Sequence, residues 1–172
     1  MDDRTRWNER YRAGQGPTRV NARLRQFLPQ LKRGRALDLA GGRGQNEQLL
    51  TGWQVVLADI SEEALARAAG TRVQCDARAL PFRPGTFDTI IDTYYFEPGL
   101  DLAALLTPGG TLFFETYTLN DYKYRPEFRH APRLDPAARA GVFSGLEILY
   151  WSETDDGTRV FCTLLARKRQ AG

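Results

Sequence analysis

The stretch Arg35-Ala-Leu-Asp-Leu-Ala-Gly-Gly-Arg-Gly44 decides the architecture. Six residues with the apolar content of a short buried strand run directly into three glycines within four positions, and Gln45 to Leu50 then fits the start of a helix. A strand, a glycine turn and a helix in that order form the opening unit of an open α/β sheet, because glycine lets the backbone turn sharply and approach a ligand without a Cβ in the way.

Downstream, the hydrophobic period repeats the theme. Trp53 to Ile60 reads as a second strand, and Ser61 caps a helix over Glu62 to Ala69 that Gly70 ends. Arg72 to Ala77, Thr86 to Tyr95 and Gly110 to Thr118 read as strands three to five, separated by loops or short helices, and such alternation argues a parallel, doubly wound sheet. The last part differs: Leu146 to Glu153 and Thr158 to Lys168 flank the turn sequence Thr154-Asp-Asp-Gly157, which predicts an antiparallel hairpin. Upstream, Asp3 to Ala13 and the helically spaced Val20, Leu24, Phe27, Leu28 and Leu31 predict two helices before the core.

The 172 residues, 42% hydrophobic and 26% charged, suit one globular domain. Within it, residues 1–34 are expected to form a helical cap, and 119–145 a loop and helix on the ligand side. Net charge is only +3, from 24 Lys plus Arg against 21 Asp plus Glu, and the excess is spread along the chain, which disfavours a dedicated nucleic-acid module. No apolar run approaches the roughly 18 residues of a membrane span, and Met1-Asp-Asp-Arg4 lacks a signal-peptide core, so a soluble, cytoplasmic protein is expected. Cys75 and Cys162 are far apart in apolar runs and read as buried thiols, and a single histidine, His130, cannot build a multi-histidine metal site. No metal is expected.

Open parallel sheets bind ligands beyond the carboxyl ends of their strands, where strand order reverses. Strand one ends in the glycine loop, strand two in Asp59, strand three in Asp76, and strand four in Asp92 with Tyr94 and Tyr95 just beyond. A carboxylate at Asp59 can take both hydroxyls of a ribose, which serves a dinucleotide and an adenosyl ligand equally. The loop discriminates: in Gly42-Arg-Gly44-Gln-Asn-Glu47 a glutamate stands where a dinucleotide fingerprint has its third glycine, which demotes NAD.

Asp38-Leu-Ala-Gly-Gly-Arg-Gly44 resembles the first motif of the class I S-adenosylmethionine-dependent methyltransferases, with Ala40 at the first glycine position. The resemblance continues through Val55-Val-Leu-Ala-Asp59-Ile-Ser61, Cys75-Asp76-Ala77, Phe87-Asp88-Thr-Ile-Ile91 and Leu106-Thr-Pro-Gly-Gly-Thr-Leu-Phe113, and so covers roughly residues 35 to 118. Arg6-Trp7-Asn-Glu-Arg10-Tyr11 and Tyr124-Arg-Pro-Glu-Phe128 resemble, more loosely, the tellurite-resistance and thiopurine-type branch.

The resemblance implies a Rossmann-like, seven-stranded, mostly parallel sheet of order 3-2-1-4-5-7-6. It implies S-adenosylmethionine as cofactor, with S-adenosylhomocysteine as product. Trp7, Tyr11, Asp38, Ala40, Gly41, Gly42 and Gly44 would meet its amino acid end, Asp59 its ribose, and Ile60, Asp76 and Ala77 its adenine, with Asp92 beside them. Asp38 is expected to organise loop amides, and Arg43 either pairs with the cofactor carboxylate or points to solvent. Asp92, Tyr94, Tyr95 and His130 are the catalytic candidates. The expected reaction is methyl transfer by in-line displacement to a small-molecule acceptor, by a monomer or homodimer. A macromolecular acceptor, or a non-catalytic protein that only binds the cofactor, is the alternative.

Overall fold

The computed structural model describes residues 2–129 and 131–170. Seven strands form one sheet of order β3-β2-β1-β4-β5-β7-β6: β1 (Arg35–Leu39), β2 (Gln54–Asp59), β3 (Thr71–Gln74), β4 (Phe87–Thr93), β5 (Leu106–Tyr117), β6 (Leu146–Asp155) and β7 (Val160–Lys168). The first five pair in parallel, and β7 runs antiparallel to both β5 and β6. This is the expected sheet, with the expected hairpin turning at Asp156 and Gly157.

Side-chain alternation along the strands divides the apolar residues into two cores. On one face Ala36, Ile91, Phe113 and Leu165 pack with Leu24, Phe27 and Leu31 of the N-terminal region, which forms the helices α1 (Asp3–Arg12) and α2 (Ala22–Phe27). On the other, Leu37, Leu39, Ile90, Phe114 and Leu164 pack with Leu134, with Leu102 and Leu105 of one single-turn helix, and with Phe143 at the end of a second. After α3 (Glu62–Leu65), those two are α4 (Leu102–Leu105) and α5 (Arg139–Val142). β1 and β4 are buried almost throughout, as central parallel strands must be.

The crossovers are shorter than the sequence suggests. The helix expected over Glu62 to Ala69 is one turn, because the amides of Arg67 and Ala68 bond three residues back and tighten the chain toward Gly70, whose φ is +73°. The segment after the glycine loop is a 3₁₀ turn, Gln45–Leu49. Strand three stops at Gln74, since Asp76 turns the chain by capping a 3₁₀ turn at Ala77–Ala79. Strand five begins four residues early, at Leu106 opposite Phe87, and a shift of register between Phe87 and Thr89 absorbs the Pro-Gly-Gly run. Cys162 is buried, but Cys75 is only half-buried, at the end of the shortened edge strand. Among the described residues no helix is long and apolar enough to cross a membrane.

Candidate active site

The order of the sheet reverses between β1 and β4, so their carboxyl ends part and leave a cleft. Both ends carry a non-glycine residue in the left-handed region, Ala40 at φ +50° and Tyr94 at φ +63°. Such strain, of order 1–3 kcal/mol each, persists where the surrounding structure demands it.

In the glycine loop, a Cβ on Gly41 would overlap Leu57 and the carboxyl of Asp38, and one on Gly42 would overlap the Tyr11 hydroxyl. A Cβ on Gly44 would press on the Glu47 carboxylate at 2.9 Å. Close packing at Gly41, and a positive φ at Gly42 and Gly44 (+61° and +73°), favour glycine at the three positions. The loop is organised by Asp59, whose two oxygens accept from the Gly42 amide at 2.9 Å and the Ser61 amide at 2.8 Å.

That role was expected of Asp38. Instead Asp38 is wholly buried and neither oxygen has a hydrogen-bond partner. Burial, reinforced by Glu47 and Asp59, raises its carboxyl to about 8 even with the Asn46 side chain nearby. The difference is geometric: Gly41 donates to the Ala58 carbonyl and Gly42 to Asp59, so no loop amide is left pointing at Asp38. Asp59 is also raised, by burial, against the lowering effect of its amide donors. Asp92 is 1% exposed with Oδ1 unpartnered, and burial, then Asp38, raise it well above the carboxylate range, opposed by the Tyr95 backbone amide. Asp38, Asp59 and Asp92 thus sit at three adjacent strand ends as buried acids.

α1 lies across these ends as a strap. Asn8 accepts from the Ser61 hydroxyl at 2.7 Å, Arg12 pairs with Glu63 at 2.5 Å, and Asp3 lies 3.5 Å from Arg78. Tyr11 is buried over Gly42 and Gly16, its hydroxyl pushed up to about 12 by burial and Asp59. Arg43 neither faces solvent nor stands free in the loop: its guanidinium covers the Tyr11 ring at 5.3 Å and donates to the Tyr11 carbonyl. Trp7 is one turn away, between the guanidiniums of Arg6 and Arg10 and 6.0 Å from the Tyr11 ring.

At the far end, Ile60, Gln74, Cys75, Asp76 and Arg78 line a cleft of about 460 Å³ with the start of α1. Asp76 is ion-paired with Arg78 at 2.7 Å, and Arg78 holds its carboxyl below the usual range. Ala77 does not join that lining; it packs against the apolar core.

Tyr94 is 48% exposed, stacks on Tyr117 at 5.4 Å, and Arg159 covers the other ring at 3.6 Å. Tyr95 is half-buried beside Asp92, and burial raises its hydroxyl. His130 lies outside the described residues.

The sequence reading missed a buried polar network joining the cap to the strand ends. Asn21 donates to Glu115 at 2.7 Å, Thr163 donates to the other Glu115 oxygen at 2.9 Å, and Asn46 accepts from the Asn21 amide at 3.0 Å. The signal was a charged residue inside Leu112-Phe-Phe-Glu-Thr-Tyr117, since an acid in a buried strand needs partners.

A family model for a methyltransferase domain matches residues 9–153. Among solved structures, the chain is similar to an S-adenosylmethionine-dependent methyltransferase from Methanosarcina mazei, with TM-score 0.70, 15% identity, and coverage of 89% of this chain and 100% of that one. It is also similar to a chain in the complex of the Haloferax volcanii Trm112 methyltransferase activator, with TM-score 0.76, 17% identity and 99% of each chain covered. The PH0226 protein from Pyrococcus horikoshii OT3 matches at TM-score 0.68 and 20% identity, over 94% of this chain and 99% of that one. No curated protein matches. At these identities the structures speak to fold, which agrees with the sheet order found here. With the domain match extending over most of the sequence and the buried acids grouped at the switch point, the chain belongs to the methyltransferase domain family.

Proposed function

We propose that the chain transfers a methyl group from S-adenosylmethionine to a small-molecule acceptor. The observation that carries this reading is the pair of buried carboxyls on either side of the strand reversal, Asp38 with both oxygens unpartnered and Asp92 with Oδ1 unpartnered, next to a tightly packed glycine loop. A methyl donor carrying a sulfonium and an ammonium suits such a site, because buried acids without a cation are unfavourable. The fit extends to Asp59, whose oxygens each hold one amide and keep a further acceptor position for ribose hydroxyls.

On this reading, Tyr11, with Trp7 behind it, roofs the amino acid end over Ala40, Gly41, Gly42 and Gly44. Ile60, Asp76 and Ala77 border the adenine, with Asp76 turning from Arg78 to accept from its amino group. When bound, the cofactor supplies a sulfonium methyl whose carbon–sulfur bond breaks as the acceptor's lone pair bonds to carbon, the electron pair leaving on sulfur. The chain's own contribution is to align the acceptor, exclude water with α1, and take a proton where the acceptor carries one. Asp92, Tyr94, Tyr95 and His130 are proposed on the acceptor side, with residues 119–145 as its outer wall and the whole chain as one catalytic domain, monomeric or homodimeric.

Calorimetric titration tests the reading. One-site saturable binding of S-adenosylmethionine and S-adenosylhomocysteine is expected, with Asp59→Ala weakening both by about tenfold or more, since losing two charge-assisted hydrogen bonds is worth at least ~1.4 kcal/mol. Binding of NADH with no adenosyl ligand bound would reverse it.

A further inference from the structure

On the sheet face opposite α2, a second concavity of about 510 Å³ opens beside the strand ends, a volume suited to a small organic molecule. Its walls are largely apolar, from Phe96, Leu100, Phe114 and Phe143. Asp92 forms part of its lining and shares the sheet face of Leu39 and Phe114, its register neighbours on β1 and β5. All the charged residues that line it are acidic, namely Asp92, Glu97 and Asp101, in a chain whose basic residues outnumber its acidic ones by 24 to 21. Asp92 is itself 1% exposed, and its Oδ1 has no hydrogen-bond partner.

These features select among acceptors. An anionic acceptor meets the like charges of Glu97 and Asp101 and the buried acid Asp92. A neutral alcohol or thiol fills the apolar walls but brings no counter-charge to Glu97 and Asp101. An organic cation satisfies both, its apolar body displacing water from the rings while its head pairs with the carboxylate.

We propose that this cavity holds the methyl acceptor and that the acceptor is an amine with an apolar body, its nitrogen on Asp92. This rests on reading the strand ends as a methyl-transfer site. An alkylamine arrives as the ammonium near neutral pH and has no lone pair to offer until it sheds a proton. Burial holds Asp92 protonated while the cavity is empty; a docking ammonium displaces that proton to solvent, and the carboxylate so formed pairs with the nitrogen and then takes its proton, while Glu97 and Asp101 draw the cation inward.

The full chain is titrated calorimetrically with butylamine, hexylamine, phenethylamine and tryptamine, and with 1-hexanol and hexanoate as the neutral and anionic counterparts of hexylamine. Expected is one-site binding of at least one amine, hexylamine binding about tenfold tighter than hexanol as a charge-assisted bond allows, and no binding of hexanoate. Asp92→Asn removes most of that preference. Glu97→Lys reverses a half-buried rim charge, stays testable if the first variant does not fold, and weakens amine binding several-fold. Incubation with S-adenosylmethionine yields the methylated amine by mass spectrometry. Cofactor binding with no amine bound, or hexanol binding as tightly as hexylamine, overturns the acceptor assignment and leaves methyl transfer standing. Amine binding with neither adenosyl ligand bound overturns the methyl-transfer reading and, with it, the acceptor role of the cavity.

Discussion

At the scale of single residues, Asp38 has the most direct consequence. Its carboxyl is raised to about 8 in the folded chain, against about 4 when unfolded. Between those values the folded state holds a proton that the unfolded state has lost, so stability is highest at the acid end and falls as pH rises toward 8, by at most about 1.4 kcal/mol per pH unit. Thermal melts from pH 4 to 8 are expected to show this decline, and Asp38→Asn to flatten it; an unchanged slope in the variant would remove the assignment. Asp92 is shifted the same way and leaves a residual slope. Ala40 offers a second test. Its φ of +50° suits glycine, so Ala40→Gly relieves left-handed strain of ~1–2 kcal/mol, partly offset by a looser unfolded chain. A rise in Tm of about 2 °C is expected; a fall would mean that the methyl group's packing outweighs the strain.

At the scale of elements, the strap α1 is held chiefly by Asn8, which is buried against Ser61, and by Tyr11 on the glycine loop. The Arg12–Glu63 and Asp3–Arg78 pairs are exposed and contribute little. Asn8→Ala should therefore loosen α1 selectively: hydrogen exchange of its amides speeds by about tenfold, from loss of roughly 1–2 kcal/mol of hydrogen bonding, while β1 and β4 keep their protection. Uniform acceleration across the sheet would show that α1 is not a separable element. The segment after β5 is fastened differently. Asp121, fully buried, accepts from Arg159 Nε and Nη2 at 3.0 Å each and from the Val160 amide at 2.9 Å. Burial alone raises its carboxyl, yet the Arg159 bonds prevail and hold it low. Asp121→Ala strands the guanidinium and is expected to destabilise by about 3–5 kcal/mol in denaturant melts, whereas Lys123→Ala, which breaks an exposed pair with Asp155, should change little.

At the scale of the molecule, the two cores flank one sheet. Leu37→Ala in the buried centre of β1 should cost about 2–5 kcal/mol and lower Tm by some 5–15 °C, a test of whether that central strand carries the stability of the whole. One cleft lies with the start of α1 at the ends of β2 and β3, and the acidic pocket lies at the end of β4, under α4 and α5.

The sheet was legible from the sequence because its signals are local: apolar strands of four to twelve residues, glycines where φ turns positive, and Thr154-Asp-Asp-Gly157 at the hairpin. The four strand ends could be read together for the same reason, since parallel topology alone brings them to one edge. The lengths of the crossover helices were not legible, because Ala66 to Ala69 favours helix locally while the short return to β3 prevents it. Nor were the partners of the acids. Asp38 and Asp59 each precede a polar turn and look alike in sequence, but only folding decides that the Gly42 amide points to Asp59 and leaves Asp38 bare. Glu115 and Asn21 are 94 residues apart, and the apolar wall of the Asp92 cavity draws on Phe96, Phe114 and Phe143 from separate elements. Sequence determined the succession of strands along the chain and the chemistry at their ends, and the family resemblance implied their order across the sheet; burial and hydrogen-bond direction, which depend on residues distant in the chain, were set by tertiary structure alone.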